Sequence, residues 1–131
     1  MIDFKKKLSK EIGKKYINPI DLYNELDRSS TTGPLRPTQE KVLKMWNDIH
    51  RGERDVIVKL HTGEGKTLIG LLMLQSKLNE GEGPCVYVCP NKFLADQVYY
   101  EAKKFGIKVC LITEHINSIN NYILLLLVQP Y

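Results

Sequence analysis

The sequence predicts an α/β protein built on a parallel sheet, and three observations lead there. From residue 55 onward, apolar runs of strand length alternate with stretches of helical character. Those strands hold almost no polar residues, as a sheet covered on both faces requires. The first of them runs into a glycine-rich turn and then a strongly apolar helix, the opening of a strand–helix–strand unit.

The elements follow in order. Phe4, Leu8 and Ile12 recur every four residues, so residues 3–15 read as an amphipathic helix with a lysine face. In "NPIDLYNELD", Asn18 is a suitable cap and Pro19 suits the first helical position. Tyr23 on this helix either packs inward or offers a ring to a base. "RSSTTGP" is loop by composition. "TQEKVLKMWNDIHRG" reads as a helix with Val42, Met45, Trp46 and Ile49 on one face and Gly52 past its end. "DVIVKL" (55–60) is a β-branched run of strand length, and "KTLIGLLMLQSKL" is a helix. "NEGEGP" turns the chain into the strand "CVYVC". "KFLADQVYYEAKKFG" is a helix closed by Gly106, "IKVCLI" is a further strand, and "YILLLLV" (122–128) is the last. The expected organisation is a helical N-terminal segment over 1–34 and an α/β unit over 35–131.

Composition narrows the class. The apolar fraction is 43% and the charged fraction 26%, ordinary for a globular protein, and 131 residues support one domain or part of a larger one. The first residues lack the apolar core of a signal peptide. The longest apolar run, Tyr122 to Val128, is far below the roughly 18 residues of a membrane span. A cytoplasmic protein without a membrane partner is expected. Cys85 and Cys89 lie on the same side of one strand, a spacing unsuited to a zinc loop, so the three cysteines read as buried free thiols. The net charge of +4 resides wholly in residues 1–15, where six lysines face Asp3 and Glu11. That face is either solvated or a contact for nucleic acid or an acidic partner.

The chemistry centres on "HTGEGKT", His61 to Thr67. A strand, a glycine loop ending in Gly-Lys-Thr and a helix form the context of a P-loop, a cradle for nucleoside triphosphate. Gly63 and Gly65 let the backbone curl so that successive N–H groups point inward, and the following helix adds its positive end. Lys66 is placed for the β- and γ-phosphates, and the Thr67 hydroxyl for Mg²⁺. His61, Thr62 and Glu64 complete the loop. A carboxylate at Glu64, about 8 Å from a phosphate in water-like surroundings, costs only about 0.5 kcal/mol per unit charge. The general P-loop pattern wants glycine at position 60, where this chain has Leu60.

The shorter form present here resembles motif I of the superfamily 2 helicases, the DEAD/DEAH-box-like proteins. Two further pieces match in order. "LRPTQ" (35–39) resembles the element ahead of motif I whose glutamine contacts adenine, which assigns Arg36 and Gln39 to the nucleotide. An amide suits adenine because it donates and accepts at once. "CPNKFLADQ" (89–97) resembles motif Ia, which lies on the nucleic-acid backbone and assigns Pro90, Asn91, Lys92, Leu94 and Gln97 to that contact. A strand-to-helix turn with free N–H groups and a lysine suits a phosphate. The resemblance covers roughly residues 35–128 and implies part of a RecA-like P-loop domain with ATP, Mg²⁺ and DNA or RNA as ligands.

That family also needs an Asp-Glu pair after a buried strand, and an arginine from a second domain. No Asp-Glu pair occurs in the chain and no arginine follows Thr67, so no catalytic residue is assigned. The sequence therefore resembles the front half of a first helicase domain, whether a natural truncation, a frameshift product or a fragment. Such a chain would bind nucleotide without turnover, and its last strand would leave an unpaired apolar edge open to self-association. The alternatives are a non-hydrolysing nucleotide- or partner-binding module and a small P-loop phosphotransferase.

Overall fold

The computed structural model describes residues 16–113 and the strand Leu124–Val128. The expected helix over 3–15, with its lysine face, lies outside the described residues. Helix α1 (Pro19–Glu25) begins as its sequence dictates: the Asn18 side chain accepts from Ile20 N at 2.9 Å, and Pro19 occupies the first turn. Helix α2 (Pro37–Met45) continues without a break into a π-helical turn over Trp46–His50. Helix α3 (Lys66–Asn79) follows the glycine loop. Strand β1 (Cys85–Cys89), helix α4 (Lys92–Phe105) and strand β2 (Val109–Thr113) form one continuous unit, and β3 (Leu124–Val128) completes the described chain.

The core lies among the helices and on one side of the sheet. Leu22, Leu43, Leu71, Leu72 and Ala102 are buried together, so α1 shares one core with α2, α3 and α4. Tyr23 is part of it. Its hydroxyl donates to Gly33 O at 2.6 Å, its ring meets Phe105 edge-on, and Arg28 covers one face at 4.2 Å. Packing, not base stacking, is therefore its role. Gly106 caps α4 as expected, with φ 76°, because a Cβ there would stand 2.4 Å from Asp27 O.

The sheet departs from expectation. Its order is β1-β3-β2, and β3 is antiparallel to both neighbours, with Cys89 opposite Leu124 and Thr113 opposite Leu124 on the other side. Strands β1 and β2 keep the parallel sense that α4 imposes as a crossover, but a strand of opposite direction stands between them. The physical reason is that an antiparallel neighbour needs no helical crossover, so strand–helix alternation carries no information on the direction of β3. The same arrangement corrects the expected open edge at 122–128, since residues 124–128 are paired on both sides. Residues 55–60, expected as the first strand, form no strand. Their β-branched run runs beside α2 with Ile57 exposed, and without a neighbouring backbone to pair with, strand propensity alone builds nothing.

Helix α2 also turns a different face inward. Gln39, Leu43 and Trp46 are buried, while Met45 and Ile49 are exposed. Arg51 ties its π-helical end to the end of α3, donating to Asn47 Oδ1 at 2.9 Å, Ser76 Oγ at 2.8 Å and Glu80 Oε2 at 3.0 Å, with its guanidinium 4.9 Å from the Trp46 ring. The Arg51 guanidinium holds the Glu80 carboxyl below the usual carboxylate range.

Candidate phosphate-binding loop and its surroundings

The loop between residues 60 and 66 takes the shape its glycines permit. Gly63 and Gly65 have φ of 85° and 75°, both left-handed, and Gly65 directly precedes the first residue of α3. The turn is closed by Glu64 N donating to His61 O at 3.3 Å. No side chain caps α3, and the amides of Lys66 and Thr67 have no acceptor among the described residues. Free donors at the positive end of this 14-residue helix are chemically suited to an anion. His61, Thr62 and Lys66 are exposed, and Thr67 is half-buried. Glu64 is half-buried too, rather than fully turned out into water.

Two side chains from the start of α2 reach this loop. Arg36 donates to Gly63 O. Gln39 is buried, accepting from Arg36 N at 3.0 Å through Oε1 and donating from Nε2 to Gly65 O at 3.2 Å. A Cβ on Gly65 would lie 2.1 Å from that Nε2, so the amide occupies the space that glycine leaves. The second lone pair of Oε1 and the second N–H of the amide are uncommitted.

On the other side of the loop, Asn91 caps α4 by accepting from Leu94 N at 2.9 Å. Pro90, Asn91, Lys92, Leu94 and Gln97 are all exposed at this corner. Pro90, Leu94 and Gln97 line a cavity of about 220 Å³ together with Thr67 and Tyr87, so the two motifs, 23 or more residues apart in the chain, meet in space. A larger groove of about 440 Å³ lies between α2 and residues 55–59 and contains none of the loop's residues. Its lining is largely apolar, and the loop's donors mark the chemistry better than its size.

Tyr87 is the residue that motif reading missed. It points inward from β1 between the exposed Val86 and Val88, against Gly70 in the second turn of α3. Burial pushes its phenol up, and the neighbouring Thr67 hydroxyl partly offsets this. The alternation in "CVYVC" could have placed it on the α3 side, but not named its partner. Burial likewise pushes the Cys85 and Cys89 thiols up. All three cysteines are free, but only Cys89 is buried; Cys85 and Cys110, expected buried, are half-buried. No group of three or more His, Cys, Asp or Glu side chains is placed to hold a metal among the described residues. A lone hydroxyl at Thr67 fits a Mg²⁺ ion that keeps most of its ligands from phosphate and water.

The family model for the DEAD/DEAH box helicase matches residues 36–123, about two-thirds of the chain. The ATP-dependent DNA helicase Hel308 of Pyrococcus abyssi is 31% identical over 105 residues, covering 78% of this chain and 14% of that protein. The ATP-dependent rRNA helicase spb-4 of Neurospora crassa is 37% identical over 81 residues, covering 56% of this chain and 12% of that protein. The human U5 small nuclear ribonucleoprotein 200 kDa helicase is 36% identical over 68 residues, covering 51% of this chain and 3% of that protein. The chain thus spans well under a fifth of the length of these relatives. No solved structure matches it. No described helix is long and apolar enough to cross a membrane.

Proposed function

The chain belongs to the DEAD/DEAH box helicase family, and on that premise we propose that it is the ATP-binding part of the first motor domain of a nucleic-acid-dependent ATPase. The observation that carries this reading is the loop itself: left-handed Gly63 and Gly65, acceptor-free amides at Lys66 and Thr67, and the Arg36 and Gln39 side chains bonded to its carbonyls.

Each residue has a task that follows from its chemistry. The amides at the start of α3 and the Lys66 ammonium neutralise the phosphate oxygens. Thr67 supplies one hydroxyl oxygen for Mg²⁺, whose role when bound is to bridge and polarise the β- and γ-phosphates. Gln39 presents its spare N–H and lone pair at the edge of the loop, the pair of contacts an adenine ring offers. Pro90, Asn91, Lys92, Leu94 and Gln97 present the exposed corner to a nucleic-acid backbone, with Lys92 as the counter-charge. Relatives named as DNA helicase and as rRNA helicase match comparably, so the proposal is for a single nucleic-acid strand of either sugar.

The 131 residues alone bind ATP without multiple turnover. Uniform binding of ground and transition states gives no rate gain, and the chain has no adjacent Asp-Glu pair to orient water. The test is a titration of a fluorescent ATP analogue into the wild type and Lys66→Ala. Losing the ammonium should weaken binding by about 1.5–3 kcal/mol, which is roughly ten- to 150-fold. Equal affinities would mean that the loop is not the site. Phosphate release at about 1 per second or faster with single-stranded nucleic acid, abolished by Lys66→Ala, would refute the absence of turnover.

A further inference from the structure

We propose that two copies of this chain pair through residues 55–60, as antiparallel strands related by a two-fold axis at Ile57. The inference does not depend on the ATP-binding reading of the loop.

Three features of the structure lead to it. The first is open backbone. The run from Asp55 to Leu60 passes beside α2 without a turn or bend, and none of its amides or carbonyls has a hydrogen-bond partner among the described residues. A β-branched run with its backbone groups free is a template for a second strand. The second is alternation. Val56 and Leu60 are half-buried, Leu60 against the core, while Asp55, Ile57 and Lys59 are exposed, Ile57 to 89%. The groove of about 440 Å³ that the run shares with Val42, Met45 and Trp46 leaves room along its flank.

The third feature names the occupant. In an antiparallel pair centred on Ile57, Asp55 stands opposite Lys59 of the second copy, Val56 opposite Val58 of the second copy, and Ile57 opposite its own equivalent. The two-fold axis repeats the first two pairs, so the segment complements itself. Opposite charges directly across favour a strand pair, and like charges oppose it. Parallel pairing in register would set Asp55 against Asp55 and Lys59 against Lys59. A slip of two residues would set Ile57 against a charge. Neither charge is firmly engaged in the single chain: Asp55 meets only Arg54, at 3.8 Å with both side chains almost wholly exposed, and Lys59 has no ion partner among the described residues. Strands β1 and β2 also have an open outer edge among the described residues, but neither carries a charge that would set a register.

The experiment is sedimentation equilibrium of the full chain over a range of concentrations, with circular dichroism to check folding. Wild type should show a reversible monomer–dimer equilibrium. Ile57→Pro removes an amide that is unbonded in the single chain and should abolish the dimer while leaving helical dichroism unchanged. Asp55→Lys alone, or Lys59→Asp alone, should weaken the dimer by about tenfold or more, because two attractive pairs become repulsive. Both changes in one chain should restore it. An equimolar mixture of the two single variants should form a mixed dimer, since each then carries what the other lacks. The inference is overturned by a wild type that stays monomeric up to its solubility limit, by a dimer indifferent to the charge changes, or by a mixture no more associated than its components. If Ile57→Pro alters the dichroism, the charge variants, changed only at exposed positions, decide the matter by themselves.

Discussion

Gly65→Ala and Gly63→Ala are the same chemical change two residues apart, and the structure predicts different costs. At both positions the backbone is left-handed, φ 75° and 85°, so alanine costs about 1–2 kcal/mol at either. Around Gly63 nothing lies within 4 Å of an added Cβ, and strain is the whole effect. At Gly65 the Cβ would stand 2.1 Å from Gln39 Nε2 and 3.2 Å from Cδ. That atom is the end of a flexible side chain, so the amide swings out rather than the backbone yielding. It then gives up its bonds to Gly65 O and Arg36 N, each worth about 0.5–1.5 kcal/mol. Gly65→Ala should therefore destabilise by about 2–5 kcal/mol, about 1–3 more than Gly63→Ala. Urea unfolding of the two variants measures this directly, provided the slope is unchanged. The decisive control is Gln39→Ala, in which no amide remains to be expelled and the two glycine changes should cost the same. Equal costs in the wild-type background, or a difference that survives Gln39→Ala, would refute the account of Gln39 as the link between α2 and the loop.

At Gly106 the obstacle is backbone, not a side-chain tip: a Cβ would meet Asp27 O at 2.4 Å and its carbonyl carbon at 2.8 Å. Gly106→Ala should cost about 3–5 kcal/mol by strain plus overpacking, seen as a lowered urea midpoint or loss of helical circular dichroism. Glu80 has its folded pKa depressed by the Arg51 hydrogen bond, so its contribution is present above the unfolded value and is lost as pH falls through the folded one. The stability deficit of Glu80→Gln should therefore be visible at neutral pH and shrink as pH drops below about 4, measured by urea unfolding across that range. Asn91→Ala removes the cap of α4 and should cost about 0.5–2 kcal/mol in the same assay. Lys92→Ala should leave stability nearly unchanged and lower the slope of nucleic-acid affinity against salt by about one unit, read from titrations at several salt concentrations.

Where local chemistry decides a conformation, the residues announced it. Asn18 and Pro19 started α1, Gly65-Lys66 started α3, and Gly106 stopped α4, because caps and left-handed positions depend on the residue occupying them. The left-handed positions of the loop were legible in the same way, since Gly63 and Gly65 announce them. Family membership followed from three such stretches in order, and the match over residues 36–123 bears it out. What depends on partners far along the chain was not legible. The run "DVIVKL" has strand composition but no strand beside it, and five apolar residues at 124–128 carry no sign of direction. Within α2 the apolar residues alone do not say whether Leu43 or Met45 turns inward, and of Met45 and Ile49 only Ile49 lies in the π-helical turn at Trp46–His50, which shifts the register by which a face is counted. The cavity shared by Tyr87 and Thr67 joins residues of different elements and leaves no local trace at all.

The central place of β3 sets an order on synthesis. Strands β1 and β2 leave the ribosome first and share no hydrogen bonds with each other, because the position between them belongs to a strand not yet made. The helices can bury Leu43, Leu71, Leu72 and Ala102 among themselves in that interval, but the two outer strands must wait with open backbone edges. Only when Leu124–Val128 emerges can both ladders close, and they close together. A nascent chain halted anywhere between Thr113 and Leu124 should thus be a helical cluster without a sheet, and the natural client of a chaperone that recognises unpaired strands.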